Sequence, residues 1–159
     1  MRLVADTSAI VAAIIVDEPR HAECRTLLDQ ATHAFVTPHV ATEVCYLLSA
    51  VGHYEAALDF LTDVSDGFYE LVNPEGVDYP VARELVARHG GRLVRKRPKP
   101  GSLDLADAMN IVVAAKQETT ILATLDHDYR QVEPLRGQKF FTLLPDDFGA
   151  PSRGAVSKV

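Results

Sequence analysis

Acidic residues recur in this chain at points where apolar segments end or turn. They are Asp6, Glu43, Asp104, Asp107, Asp126 and Asp128. Asp and Glu side chains are rarely buried unless they are paired or bind a cation. The segments around them contain few basic residues that would supply a counter-charge. The pattern therefore indicates a cluster of carboxylates that binds a metal ion.

A carboxylate cluster favours particular metals and substrates. Carboxylates a few ångströms apart raise each other's pKa, and a divalent cation relieves that repulsion. An all-oxygen site suits Mg²⁺, with Mn²⁺ as the alternative, better than it suits zinc. Because these ions commonly act together with phosphate substrates, the acids indicate phosphate chemistry.

The composition limits the class of protein. The chain has 159 residues, 47% of them hydrophobic, and we expect one domain with a single core. Its net charge of -6 argues against a protein that coats nucleic acid through bulk positive charge. No apolar run reaches the roughly 18 residues that span a bilayer, so we expect a cytoplasmic protein without a membrane partner.

One segment of this acidic chain is strongly basic. Between residues 92 and 101 the chain carries Arg92, Arg95, Lys96, Arg97 and Lys99. Two prolines interrupt this segment, and because proline does not fit inside a helix, we expect an exposed loop. The loop either binds phosphate groups or is a solvated part of the surface.

Short apolar strands alternate with helices along the chain. The predicted strands span 2–5, 34–36, 69–72, 120–123 and 140–143, and the predicted helices span 9–16, 20–30, 38–51, 54–64, 78–89 and 103–117. Thr37 is a good N-cap before Pro38, and Ser102 is the predicted cap of the last helix. The alternation predicts an α/β domain with a central, mostly parallel sheet flanked by helices. In such sheets ligands gather at the carboxyl ends of strands, where Asp6 and Asp126 fall.

Four stretches of the sequence, taken in order, resemble the PIN domain. They are Asp6-Thr7-Ser8 after the first strand, the helical Glu43, Leu103-Asp104-Leu105-Ala106-Asp107-Ala108, and Thr124-Leu125-Asp126-His127-Asp128-Tyr129. The size of the chain, with no second domain predicted, further resembles the VapC toxins of toxin–antitoxin pairs. The resemblance covers residues 1–145 as a PIN-like nuclease domain and leaves 146–159 as a C-terminal tail.

The resemblance implies an activity and a set of site residues. The activity is that of a Mg²⁺- or Mn²⁺-dependent endoribonuclease that leaves 5′-phosphate and 3′-hydroxyl ends. Asp6, Glu43, Asp107 and Asp126 match the family's four acidic positions and are the expected catalytic and metal-binding residues. The expected supporting residues are Ser8, Asp104, Asn110 and Asp128. Three of the acids would hold the ion, while Glu43 holds a second ion or orients the attacking water.

The resemblance also implies partners. An RNA substrate would be bound through the basic segment 92–101, which supplies the phosphate affinity that an acidic protein otherwise lacks. The chain would be the toxin of a type II toxin–antitoxin system, so a cognate antitoxin would bind across the acidic groove. A homodimer would form through the apolar helices.

The same residues have other interpretations. A phosphatase of the haloacid dehalogenase type also begins with an Asp after a strand, but it needs a second Asp where this chain has Ser8. A PIN-fold nuclease outside toxin–antitoxin systems, acting in RNA processing or on structured DNA, is another alternative. So is a non-catalytic PIN-like binding module. Taken singly, Asp6 is explained as a helix cap, Glu43 as an exposed helix residue and Asp128 as a turn residue.

Overall fold

The structure, a computed structural model, describes residues 1–90 and 103–149. Its strands are β1 (Arg2–Ala5), β2 (His33–Val36), β3 (Glu70–Leu71), β4 (Ile121–Ala123) and β5 (Thr142–Leu144). Its helices are α1 (Thr7–Ile14), α2 (His21–Asp29), α3 (Pro38–Ala50), α4 (Tyr54–Ser65), α5 (Asp78–His89) and α6 (Leu105–Lys116), with a 3-10 helix at His127–Gln131. Strands and helices alternate along the chain, as the sequence predicts.

The five strands form one sheet in the order β3-β2-β1-β4-β5, and every pair within it is parallel. The chain builds outward from β1 to β2 and β3, and then crosses to the other side of β1 to add β4 and β5. The strand order therefore reverses between β1 and β4, and such a switch point opens a crevice at the carboxyl ends of the strands. The predicted α/β fold with a parallel sheet is confirmed.

The sheet is covered on both faces. Consecutive residues of β1 show this, because Leu3 packs into the cluster formed with α1 to α4, whereas Val4 packs into the cluster formed with α5 and α6. Neighbouring side chains of a strand point to opposite faces. A sheet that is buried on both faces explains why its strands are almost entirely apolar.

Several element boundaries differ from the sequence prediction. Helix α6 begins at Leu105 with Asp104 as its N-cap, so the prediction that Ser102 caps this helix is wrong, and Ser102 itself lies outside the described residues. Helix α1 begins at Thr7, directly after Asp6, instead of at residue 9. The last strand spans 142–144 instead of 140–143, because the pairing of Ile121 with Thr142 sets its register.

Thr37 caps α3 as predicted, with its side-chain oxygen accepting a hydrogen bond from the Val40 N–H at 3.2 Å. This cap fixes where α3 starts, and thereby places Glu43 in the second turn of the helix. Within the residues that the structure describes, every helix is too short or too polar to cross a membrane.

Candidate active site

The site lies at the carboxyl ends of β1 and β4, beside the switch point. Ala5 is paired with Ala123 at the ends of these two strands, and the Asp6 N–H continues the ladder by donating to the Ala123 carbonyl at 2.9 Å. Because parallel neighbours end at the same edge, Asp6 and the segment that begins at Thr124 emerge side by side. The predicted meeting of the first and last acidic stretches therefore follows from the strand pairing.

A cavity of about 200 Å³ opens at this edge. It is lined by Asp6, Thr7, Ser8, Glu43, Leu47, Asp104, Asp107 and Asp126. Five of these eight side chains are acidic, and no basic side chain is among them. Among the described residues, the cavity therefore brings carboxylates together without a cationic partner in its wall.

Asp6 is the most deeply buried of these acids, with 6% of its surface exposed. Its Oδ2 accepts hydrogen bonds from Ser8 Oγ at 2.7 Å and from Thr124 Oγ1 at 2.8 Å, and its Oδ1 accepts one from Asn110 Nδ2 at 3.1 Å. Burial raises the pKa of Asp6, against the lowering effect of the hydrogen bonds from Ser8 and Thr124. Although Asp6 precedes α1, helix capping alone does not account for its side chain, which accepts hydrogen bonds from the side chains of Ser8, Thr124 and Asn110.

Asp104 and Asp107 form a capping box at the start of α6. The Asp107 N–H donates to Asp104 Oδ1 at 3.1 Å, and the Asp104 N–H donates to Asp107 Oδ2 at 2.8 Å. The Tyr129 hydroxyl donates to Asp107 Oδ1 at 3.0 Å. Burial raises the pKa of Asp107 to about 7, and the charges of Asp104 and Asp6 act in the same direction.

Glu43 and Asp126 face the same cavity from α3 and from the turn after β4. Glu43 Oε2 accepts a hydrogen bond from Thr7 Oγ1 at 2.8 Å, which holds it against the start of α1. Asp126 is the N-cap of the 3-10 helix, and its Oδ1 accepts from the Asp128 N–H at 2.8 Å. Side chains from α1, α3, α6 and the 3-10 helix thus converge on one space.

Residues 3–134 match the PIN domain family. The chain belongs to the PIN-domain family. This confirms the resemblance that the acidic stretches carry. The chain is 28% identical over 145 residues to ribonuclease VapC26 of Mycobacterium tuberculosis. The match covers 90% of this chain and all of that protein.

A solved structure shares the fold of this PIN domain. It is the crystal structure of VapC20 of Mycobacterium tuberculosis, described as a toxin that cleaves the sarcin-ricin loop. The match has a TM-score of 0.67 and 20% sequence identity, and it covers 79% of this chain and 91% of that one. At this identity the likeness supports the fold alone.

The donor set of this PIN domain fits a hydrated divalent cation. In the ranges 1–90 and 103–149, no three His, Cys, Asp or Glu side chains are grouped closely enough to hold an ion by direct ligation. Mg²⁺, however, keeps several of its waters and is commonly bound through only one or two carboxylates. A cavity of about 200 Å³ has room for an ion with some of its water, since each water takes about 30 Å³ in the liquid. The all-oxygen, anionic lining suits that ion.

The structure brings together most of the residues predicted from the sequence. Asp6, Glu43, Asp107 and Asp126 line one cavity, together with Ser8 and Asp104 from the supporting set. Asn110 lies behind the cavity against Asp6, and Asp128 contacts Asp126 through its backbone without lining the cavity. The predicted RNA-binding residues Arg92, Arg95, Lys96, Arg97 and Lys99 lie outside the described residues.

Sequence reasoning missed three side chains that hold the acids in place. Thr7 donates to Glu43, Thr124 donates to Asp6, and Tyr129 donates to Asp107. Thr124 has a sequence signal, because it directly follows a buried strand that ends beside β1. No signal in the sequence indicates that the Tyr129 hydroxyl points inward, because its direction depends on the turn of the 3-10 helix.

A larger groove of about 760 Å³ adjoins the acidic cavity. It is lined by Pro38, His39, Thr42, Glu43, Tyr46, Asp104, Leu105 and Ala106. Glu43 and Asp104 belong to both spaces, so the groove leads directly to the carboxylates. The Tyr46 side chain in this groove is largely exposed.

Proposed function

We propose that this protein is a Mg²⁺-dependent endoribonuclease, also active with Mn²⁺, that serves as the toxin of a type II toxin–antitoxin system. The observation that carries the proposal is the cavity of five carboxylates, with no basic side chain among its lining residues, at the sheet's switch point. The relative that matches over its whole length is named a ribonuclease, which supports RNA as the substrate. The proposed site of action is the cytoplasm.

Asp6, Asp107 and Asp126 would hold the cation, each from a different element of the fold. A bound Mg²⁺ or Mn²⁺ would lower the pKa of an attacking water and neutralise charge on the leaving oxygen. Glu43 faces the others across the cavity and would hold a second ion or orient the water. The anionic wall would repel a phosphodiester, and a bound cation would offset that repulsion.

The remaining residues act on the orientation of these acids. Ser8 donates to Asp6 at 2.7 Å, and the Asp104 N–H donates to Asp107 at 2.8 Å. The Asp128 N–H donates to Asp126 at 2.8 Å. Each bond fixes the orientation of a carboxylate, which is the usual role of outer-shell partners in a metal site.

RNA binding is assigned to the basic segment that precedes α6. Its positively charged residues, from Arg92 to Lys99, precede Leu103 and Asp104 in the sequence, and Asp104 lines the cavity. Phosphate contacts of this kind supply affinity without base specificity. They would offset the long-range repulsion between RNA and a protein of net charge -6.

Two protein partners are part of the proposal, an antitoxin and a second copy of the chain. A basic side chain of the antitoxin placed among the carboxylates would form charge-assisted hydrogen bonds and exclude RNA at once. Helices α3 and α4 expose large apolar side chains that suit protein contacts. These are Tyr46, Leu47, Tyr54, Leu58 and Leu61, together with Val51 at the C-cap of α3.

The direct test is cleavage of matched RNA and DNA oligonucleotides by the purified chain. Mg²⁺ or Mn²⁺ should support cleavage of RNA, and a chelator should abolish it. Asp6→Asn, Asp107→Asn and Asp126→Asn should each lower the rate by 10-fold or more, on the order of the loss seen when support of a metal is removed. Asp29→Asn is the matched control, because Asp29 is an exposed acid paired with Arg25 away from the cavity.

Each alternative function has its own outcome in that experiment. Cleavage of DNA in preference to RNA would replace the ribonuclease by a structure-specific DNA nuclease. Binding of RNA with no cleavage under any metal would favour a non-catalytic binding module. Full activity of all three cavity variants would remove the carboxylates from the mechanism.

A further inference from the structure

Tyr129 lies behind the carboxylate cluster and contacts two of its acids. The 3-10 helix turns this side chain inward, so that it is fully buried. Its hydroxyl is 3.0 Å from Asp107 Oδ1 and 3.5 Å from Asp6 Oδ1. One side chain therefore spans the acid that follows β1 and the acid in the first turn of α6.

Asn110 determines where the hydroxyl hydrogen of Tyr129 points. The Asn110 side-chain amide Nδ2 donates to Asp6 Oδ1 at 3.1 Å and to the Tyr129 oxygen at 3.0 Å. The amide carries two hydrogens, one for each acceptor. Since the Tyr129 oxygen accepts from Asn110, its own hydrogen is directed to Asp107, the nearer of its two carboxylate neighbours.

The ionised form of Asp6 disfavours the opposite orientation of the Asn110 amide. That orientation would bring the amide oxygen to within 3.1 Å of a carboxylate oxygen of Asp6, and two acceptors repel each other. In the observed orientation the Asn110 Oδ1 is buried and has no partner among the described residues. A buried acceptor without a hydrogen bond costs free energy. Such a locally unfavourable arrangement is expected where function demands it.

We propose that Tyr129 and Asn110 are positioning residues that set the spacing of the Asp6 and Asp107 carboxylates for a shared divalent cation. The inference rests on the proposed function, because it takes the two acids to share an ion. Neither Tyr129 nor Asn110 lines the cavity, so they act through the acids and not on RNA. The bridge holds the two carboxyl groups at a fixed separation before an ion binds. It also joins α6 to the 3-10 helix, which carries Asp126 at its N-cap.

The test is the dissociation constant for Mn²⁺, measured by electron paramagnetic resonance of the free ion. Tyr129→Phe removes only the oxygen of the bridge, and it should weaken Mn²⁺ binding by about 10-fold or more. Tyr69→Phe is the matched control, because Tyr69 is similarly buried but lies just before the edge strand β3, away from the cavity. Its Mn²⁺ affinity should equal that of the wild type. At saturating Mn²⁺ the kcat of Tyr129→Phe for RNA should return close to the wild-type value.

Asn110→Ala provides a second, independent variant should Tyr129→Phe fail to fold. It removes the donor to both Asp6 and Tyr129 and places a good helix former in α6. The double variant should lose less affinity than the sum of the two single losses, because both residues act through one bridge. Wild-type Mn²⁺ affinity in the folded variants would overturn the positioning role and leave the nuclease function intact. No Mn²⁺ binding by the wild type would remove the proposed function, and this inference with it.

Discussion

Asp104 and Asp107 cap each other at the start of α6, each carboxylate accepting a hydrogen bond from the other's backbone N–H, at 3.1 and 2.8 Å. Both side chains also line the acidic cavity. Asp104 and Asp107 thus both start α6 and contribute carboxylates to the acidic cavity. A substitution at Asp107 that tests the chemistry has to keep an oxygen acceptor for the cap, and Asn does so.

The metal-free protein should lose stability as the pH rises from about 4 to about 7. The pKa of Asp107 is raised from an ordinary 3.8 to about 7, chiefly by burial. Between these values the folded protein holds a proton that the unfolded chain has lost. The stabilising contribution is therefore complete below pH 4 and is lost above pH 7, and it amounts to at most about 4 kcal/mol.

Chemical denaturation with a chelator present checks this prediction. Asp107→Asn mimics the protonated acid, so its free energy of unfolding should match the wild type below about pH 4 and exceed it near pH 8. Titrating groups remote from Asp107 cancel in the comparison, so the difference between the two proteins reports on Asp107 together with Asp6 and Asp104, whose charges act on it. The same pH dependence in the two proteins would show that Asp107 is not the group responsible.

Asp146 should stabilise the turn that carries Asp126. It accepts hydrogen bonds from Arg20 Nη1 at 2.9 Å and from His127 Nε2 at 2.6 Å, which tie that turn to the segment before α2. Burial raises the pKa of Asp146, but the bonds from Arg20 and His127 outweigh burial and lower it overall. A lowered carboxyl pKa stabilises the folded state above about pH 4 and ceases to do so in acid.

Asp146→Asn should accordingly reduce the free energy of unfolding by about 1 kcal/mol at pH 7, a modest value because Arg20 and His127 are partly solvated. The deficit should shrink as the pH falls below 4. The exposed pair of Arg25 and Asp29 gives a control, since Asp29→Asn should change stability by less than about half as much. Equal effects from the two substitutions would argue against a special role for the Asp146 contacts.

Much of the site was predictable from sequence because strand order and site position are linked. A continuous apolar strand followed by Asp6 indicates a buried parallel strand with an acid at its carboxyl end, and the same holds for β4 and the segment containing Asp126. Parallel pairing then places both at one edge. The hydrophobic pattern indicates the alternation of strands and helices, and this alternation was sufficient to predict that Asp6 and Asp126 lie at one edge of the sheet.

The rest of the site depends on the direction of side chains, which local sequence does not determine. Ser102 is an acceptable cap by residue type, yet Asp104 takes that place because Asp107 stands three residues later and completes the box. The contact of Thr7 with Glu43 joins residues 36 positions apart and exists only once α1 packs beside α3. Tyr129 resembles an ordinary aromatic residue until the 3-10 helix turns it inward.

The basic segment should govern RNA capture and leave the chemical step unchanged. Replacing Arg95, Lys96 and Arg97 together by Ala should weaken binding of all RNA sequences alike. The slope of log K against log salt should become shallower by about 0.7 for each single-strand phosphate that the variant no longer neutralises. Filter binding at several salt concentrations measures the slope, and single-turnover cleavage at saturating protein measures the chemistry. A slope equal to that of the wild type would make this segment a solvated spacer.

The exposed apolar face of α3 and α4 should be a protein contact. Leu58 and Leu61 lie exposed on α4, so Leu58→Asp with Leu61→Asp should shift a homodimer toward monomer in light scattering, or prevent copurification of a co-expressed antitoxin. Replacing the nearby acid in Glu55→Gln is the control and should alter neither property. A wild-type chain that is monomeric at every concentration and binds no co-expressed antitoxin would refute the partner proposal, while the nuclease proposal would survive.

Anomalous diffraction from a crystal soaked in Mn²⁺ tests most directly whether Asp6, Asp107 and Asp126 hold a divalent cation, with Glu43 beside it. We predict an anomalous peak inside the acidic cavity, within coordination distance of at least one carboxylate oxygen and bridged to the others by water. The peak should be absent from an Asp6→Asn crystal soaked in the same way. A wild-type map with no peak in the cavity at saturating Mn²⁺, or with peaks only on exposed acids elsewhere, would contradict the account.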